Sequence, residues 1–430
     1  MRIVMFYHSL VSDWNNGNAH FLRGIVTELQ ARGHTVTVYE PQDGWSLANL
    51  RQTMAAHPLR RPNLLRRLAR RLGGWGRRDD GSRWQPDKED PLTGFCHAYP
   101  SLSATFYDEA TLDLDLALAG ADLVIVHEWN SPRLVGRIGE HRQRDRRAWN
   151  RYRLLFHDTH HRSATAPEEM AAYHLDHYDG VLAFGRVVRD RYLDRRSDSP
   201  RARRAWIWHE AADIRVFRSL GGSPSNGHVG AQEGDLVWVG NWGDEERTAE
   251  LNEFLIEPVR DLGLRARIHG VRYPAHALKT LAEAGIEYGG WLPNYAVPES
   301  FNKFGVAVHV PRRPYVKALP GIPTIRVFEA LACGIPLVCS PWQDVEGLFE
   351  PGRDFLIAQN GEQMKDHLTR LLEDHRYAQS LVRHGLRTIY SRHTCAHRVD
   401  ELHAICRQLG LYHDQPAHAP ASPKEVLRYG

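Results

Sequence analysis

The chain has 430 residues, 42% of them hydrophobic, too many for one ordinary core and enough for two. A formal net charge of +3 gives no general argument for a nucleic-acid partner, and no stretch approaches the roughly 20 apolar residues of a membrane-spanning helix. The five cysteines, Cys96, Cys333, Cys339, Cys395 and Cys406, are odd in number and lack CxxC spacing, which argues for a reducing compartment rather than a disulfide framework.

The opening MRIVMFYHSL reads as a strand over residues 2–8 rather than a signal peptide, so a cytoplasmic protein is expected. A helix over 18–32 stops at Gly33, and a β-branched strand follows at 34–39. The loop SLVSDWNNGNA places Gly17 where backbone could approach a ligand, but it does not spell GxGxxG. Residues 45–100 then interrupt the alternation with a basic insertion. Arginines from Arg51 to Arg83 alternate there with Leu64, Leu65, Leu68 and Leu72 at helical spacing, the pattern of a basic amphipathic helix. It fits either a solvated helix on a small satellite core or a peripheral contact of residues 51–83 with the inner face of a membrane.

Order returns with a helix over 108–119 and a strand over 122–126. Asp113 and Asp115 have DxD spacing but fall inside the expected helix, so they read as helix surface and not as a metal site. The strand runs into His127, Glu128, Trp129 and Asn130. The next strand, 153–156, runs into His157, Asp158, Thr159, His160 and His161. Polar residues at the carboxyl edge of parallel strands are where open α/β sheets bind ligands. No further ligand spacing around His160 and His161 supports zinc. A helix over 167–177, a strand over 180–184, an arginine-rich helix from Val187 and a strand over 205–208 complete this half.

The polar stretch 218–234 reads as a linker. A second α/β unit restarts at 235–239 and ends in Gly240 and Asn241. Its helix is expected near Glu245, with Arg247 in the first turn, where a cation is unfavourable unless an anion sits nearby. Strands at 265–270, 286–290 and 306–310 alternate with helices at 275–284 and 294–304. PGIPTIRVFEALACGIPLVCS, residues 320–340, predicts a helix over 324–333 that hands directly to a buried strand. Thr324, Ile325 and Arg326 stand at the mouth of that helix, where free amides and the dipole attract phosphate, and Glu329 lies one turn in. Three helices, 361–372, 376–391 and 395–409, and a loose tail end the chain.

This pattern resembles the GT-B glycosyltransferases: an α/β protein of two Rossmann-like domains facing across a cleft and closed by C-terminal helices. HEAADIRVF at 209–217 resembles the N-G-V-D-x-x-x-F segment of family 4 retaining transferases, with Asp213 and Phe217 at matching places. VGNWGDEER resembles their first C-domain strand and loop, YGGWLPNYAVPESFNKFGVAVHVPRRPY the segment around the nucleotide base, and IRVFEALACGIPLVCS the nucleotide-ribose helix. The whole looks most like the CgeB-like group. The resemblance implies residues 1–217 as acceptor domain, 218–234 as linker, 235–394 as nucleotide-sugar domain and 395–430 as closing helix and tail.

It further implies a cofactor-free, metal-independent transfer from a nucleoside diphosphate sugar. Gly240, Asn241, Arg247, Trp291, Arg312, Thr324, Ile325, Arg326 and Glu329 would hold the donor, with Glu329 on the ribose. His8, Gly17, Trp129 and Asn130 would face the acceptor, an anionic or lipid-linked molecule being the candidate. If the anomer is retained, His127 or His160 orients the sugar; if it is inverted, Glu128 or Asp158 is the base. One departure stands out. The family has a glutamate eight positions before Glu329, and here that place is Gly321. Two rival readings stay open: a nucleotide-sugar 2-epimerase on the same fold, and a non-catalytic nucleotide-sugar-binding module at a membrane.

Overall fold

The computed structural model describes residues 1–14, 17–56, 77–78, 93–144, 152–194, 202–220, 233–243 and 245–411. Most of the leucine- and arginine-rich insertion, most of the linker and the tail after 411 lie outside the described residues. Two wholly parallel sheets organise the rest. The first contains β1 (Arg2–Phe6), β2 (Thr35–Pro41), β3 (Arg77–Arg78), β4 (Ala104–Tyr107), β5 (Leu123–His127), β6 (Arg153–Asp158), β7 (Gly180–Ala183) and β8 (Ala205–Ile207), in the order β3-β4-β2-β1-β5-β6-β7-β8. The second contains β9 (Gly234–Val239), β10 (Ala266–His269), β11 (Glu287–Tyr288), β12 (Phe304–His309), β13 (Leu337–Cys339) and β14 (Leu356–Ile357), in the order β11-β10-β9-β12-β13-β14.

Both orders reverse beside the first strand of their sheet, between β1 and β5 and between β9 and β12. Such switch points open a crevice at the carboxyl ends of the strands. The strands themselves read as near-continuous apolar runs because helices cover both faces; β5, LVIVH, is buried at every position. One apolar cluster joins the two halves. Phe21 and Ile25 of the first helix, Asn18–Ala31, share it with Val327, Phe328 and Leu331 of the helix Ile325–Cys333.

The last helix, Cys395–Gln408, returns to the first half: Arg32 pairs with Asp400 and donates to the Ala396 carbonyl at 3.0 Å, and the Trp208 indole donates to the Arg398 carbonyl at 2.8 Å. All five cysteines are buried and free. No described helix is long and apolar enough to cross a membrane.

Several expected elements change. The helix over 108–119 shrinks to one turn, Leu114–Ala117, because Asp108 bonds the Ala110 amide at 2.8 Å and makes a turn. Asp113 caps that turn from the Leu116 amide at 3.1 Å, and Asp115 is exposed beside His141. The helix over 167–177 is only Pro167–Met170, since Tyr173 is drawn in to the Glu128 and Asn130 carbonyls. Thr248, not Glu245, begins the next helix; Glu245 has φ +68° and Arg247 is the non-helical residue before the first turn. The segment 294–304 is a 3₁₀ turn, Asn294–Ala296, followed by Val297–Phe301. Helices that went unread among the described residues are Trp45–Ala56, Thr93–Ala98, Pro132–Arg144, Arg162–Thr165 and Arg313–Ala318.

Candidate active site

A cleft of about 720 Å³ opens between the carboxyl ends of the two sheets. Residues just past β1, β5, β6, β7 and β8 line one wall: His8, Trp129, Thr159 to Arg162, Phe184 and Glu210. Residues just past β9, β10, β11 and β12 line the other: Gly240, Asn241, Gly270 to Arg272, Trp291, Pro311 and Arg312, joined by Thr324, Ile325 and Arg326.

The second wall is basic and built on backbone. Arg247 is 7% exposed, and its guanidinium donates to the Val310 carbonyl at 2.7 Å and to the Asn241 carbonyl at 2.5 Å. It lies over the Trp238 ring at 5.1 Å. Burial, followed by nearby Arg312 and Arg326, lowers its pKa to about 10, so it stays charged at neutral pH. Arg312 pairs with Glu246. Thr324 precedes the helix Ile325–Cys333 with extended backbone, and its hydroxyl lies 3.1 Å from His309 Nε2.

Glu329 does not reach the cleft. It is wholly buried one turn inside that helix, pairs with Arg326, and accepts from His20 Nδ1 at 2.9 Å and Asn294 Nδ2 at 2.7 Å. Burial would raise its pKa, but Arg326, His20 and Asn294 together hold it below the ordinary glutamate value. His20 is fixed from below. The Asp213 amide donates to its Nε2 at 2.7 Å, which leaves the proton on Nδ1 facing Glu329, and Phe217 stacks on its ring at 3.8 Å. The D-x-x-x-F residues of 209–217 therefore orient a histidine that reaches across to the helix of the other half.

On the first wall the expected catalytic set divides. His160 lines the cleft; His127, Glu128 and Asp158 are buried behind it. His127 stacks on Tyr7 at 4.7 Å and bonds Thr159 Oγ1 at 3.0 Å. Asp158 accepts from the His160 amide at 3.0 Å and the Tyr192 hydroxyl at 2.8 Å. Glu128 pairs with Arg162, and its burial nevertheless raises its pKa to about 8. The strand edge turns inward because Arg162 closes over it, its guanidinium 4.4 Å from the Trp129 ring.

Of the acceptor-side residues, His8, Gly17 and Trp129 line the cleft. Asn130 does not: its amide is spent on the Phe6 and His127 carbonyls, each at 2.8 Å. Gly17 meets the other half directly, a Cβ there falling 2.7 Å from Ile325 Cγ2. Burial, then Arg162, holds His8 to about 3, and burial with His161, Arg162 and Arg312 holds His160 to about 2, so both are neutral.

Sequence reasoning missed His20, Arg162, Glu210, Asn294 and His309. His309 and Asn294 end or follow elements already read as pointing to the cleft, which was an available signal. His20 and Arg162 had none, because each matters only through a partner distant in sequence, Glu329 and Glu128.

Residues 247–404 match the family model described as glycosyl transferase-like. No curated protein sequence matches the chain. Among solved structures the chain is similar to sucrose-phosphate synthase from Thermosynechococcus elongatus, at TM-score 0.59 and 14% identity, covering 95% of this chain and 99% of that one. It is also similar to Anabaena HepE in complex with UDP and glucose (TM-score 0.57, 12% identity, 95% and 99% covered). T4 phage BGT in complex with its UDP-glucose substrate aligns at TM-score 0.51 and 11% identity, again over 95% and 99%. At these identities the likeness is one of fold: two parallel α/β sheets facing across a cleft, the GT-B arrangement.

Proposed function

We propose that this chain, a GT-B fold whose residues 247–404 match a glycosyl transferase-like family, moves a sugar from a nucleoside diphosphate sugar to an acceptor held on the first wall of the cleft. The observation that carries the reading is the convergence of Arg247, Arg312 and Arg326 on one wall beside the amino end of the helix Ile325–Cys333. Departing diphosphate gathers negative charge, and fixed cations with a helix end stabilise that charge more in the transition state than in the ground state. The three arginines supply the charge that a metal ion supplies elsewhere, which supports metal-independent transfer. Retention of the anomer fits best, because Glu128 and Asp158 are withdrawn from the cleft and the leaving phosphate can itself take the acceptor proton.

Glu329, held by Asn294 and His20, serves the ribose only if one of these bonds yields, and its first duty is to fix Arg326. Because neighbours of this fold bind UDP and UDP-glucose, uridine donors are the first to try. A thermal-shift panel of nucleoside diphosphates and their sugars tests the reading: a cognate ligand raises the melting temperature by an amount that grows with the logarithm of its concentration over Kd, and transfer follows with that donor. A panel in which no nucleotide shifts the transition refutes it.

A further inference from the structure

The place of the missing family glutamate is now visible. Gly321 sits outside the cleft at φ +90°, its amide bonded to the Gln343 carbonyl at 2.7 Å. A Cβ there would fall 2.7 Å from Val345 Cγ2 and 2.8 Å from Glu346 Cγ. Both the left-handed backbone and the packing exclude a side chain, so the first carboxylate is absent by construction.

Among the described residues, three other carboxyl side chains line the cleft: Asp13, Glu169 and Glu210. Asp13 is committed, accepting from Arg23 at 3.1 Å and from the Asn294 amide at 2.9 Å. Glu169 is an exposed residue on the single turn Pro167–Met170. Glu210, which follows β8 on the first wall, differs from both. It is 7% exposed, it accepts from Asn18 Nδ2 at 3.3 Å, and at the amino end of the helix Ile325–Cys333 it shares the cleft lining with Ile325, whose amide is one of the groups acting on its pKa. It thus stands where the transferred sugar must lie if the diphosphate takes the arginines beside Ile325.

We propose that Glu210 holds a hydroxyl of the transferred sugar, doing from the first wall what the family's first glutamate does from the second. The assignment rests on the reading of the cleft as a nucleotide-sugar site. A carboxyl at this point must not repel the diphosphate. Burial, with Glu329 nearby, pushes Glu210 up to about 8, so at neutral pH it is chiefly the uncharged acid, able to donate one hydrogen bond to a sugar oxygen and accept another.

The competing role is a purely structural one, a carboxyl that ties Ile325 to the first wall. Calorimetric titration with UDP and UDP-glucose, and in parallel with GDP and GDP-mannose, separates them. The readout is the ratio of the affinity for the sugar nucleotide to that for the bare diphosphate. Glu210→Ala and the space-filling Glu210→Leu should lower this ratio about tenfold while leaving the bare diphosphate unchanged, and Glu210→Gln should recover most of it. An unchanged ratio in whichever of the two apolar variants folds overturns the proposal, as does equal weakening of both ligands, which is the structural outcome. If another base of the nucleoside diphosphate panel binds instead, the same ratio is read with that pair; wild-type protein that binds none of the panel overturns the underlying reading as well, so the two failures are told apart.

Discussion

The two walls of the cleft are built in opposite ways. The second wall places much of its charge in a short stretch of chain: Arg312 and Thr324 to Arg326 fall within fifteen residues, and Arg247 and Arg272 come from further away. The first wall is assembled from single residues delivered by loops after β1, β5, β6, β7 and β8, and its buried titratable groups are neutral histidines and proton-retaining carboxyls rather than open charges. A wall that meets a diphosphate needs fixed cations and a helix end. A wall that meets sugar and acceptor needs shape, rings and hydrogen-bonding groups that do not repel the departing phosphate.

That contrast breaks first at Arg326. Its loss removes a cation from the phosphate wall and leaves the buried Glu329 carboxylate with only the hydrogen bonds of His20 and Asn294. Arg326→Ala should cut kcat/KM about 100-fold and cost about 3 kcal/mol or more of stability, read by steady-state kinetics and denaturant unfolding. Unaltered turnover would remove this wall from the chemistry.

The first wall should dominate the pH dependence of stability. Burial holds His8 and His157, on that wall or behind it, to about 3, His160 to about 2 and His127 well below its usual value, whereas elsewhere His309 and His393 are held to about 3. Below about pH 6.5 the unfolded chain binds protons that the folded chain refuses, so each such histidine removes roughly 1.4 kcal/mol per pH unit on the acid side. Glu128 and Glu210, raised to about 8, have the opposite sign: the folded chain keeps protons that the unfolded chain has released above about 4.5, and their contribution is lost as pH rises through 8. Stability should therefore peak near pH 6.5 to 7 and fall on both sides. Glu128→Gln should flatten the alkaline limb, and a midpoint that climbs steadily from pH 6.5 to 9 would contradict the scheme.

Arg162→Ala sharpens the contrast at smaller cost. Glu128 can take a proton instead of remaining a bare charge, so about 1 to 2 kcal/mol of stability goes. Acceptor KM should rise about tenfold with donor KM unchanged; a raised donor KM would place Arg162 with the phosphates. The smallest effect is expected at the DxD pair. Asp115→Ala should leave turnover the same with or without divalent ions, since Asp115 points to solvent beside His141.

The sequence was most legible where structure is local. The helix Ile325–Cys333 is bracketed by Thr324 and Gly334 and followed at once by β13, so its start, its end and its anion-attracting mouth are all written in one stretch. Arg247, Arg312 and Arg326 could likewise be placed on the cleft, because each follows a strand or opens a helix. The strand ends at 127–130 and 157–161 were read as an edge, and an edge they are. Which of their side chains turn outward was not readable, since that depends on Arg162 closing over Glu128 and stacking on Trp129. Helix lengths failed for the same reason at 108–119 and 167–177, where one side-chain bond to backbone outweighed propensity.

The sequence by itself thus determined the two alternating α/β halves and the anion-binding helix mouth, because hydrophobic periodicity and helix-end chemistry act over a few residues. Only the tertiary structure decided what Glu329 does and which carboxyls line the cleft. Glu329 meets His20 across 309 residues of chain, and Asp13 meets the Asn294 amide across 281. Contacts of that span arise from the packing of one sheet against the other, and no local pattern encodes them.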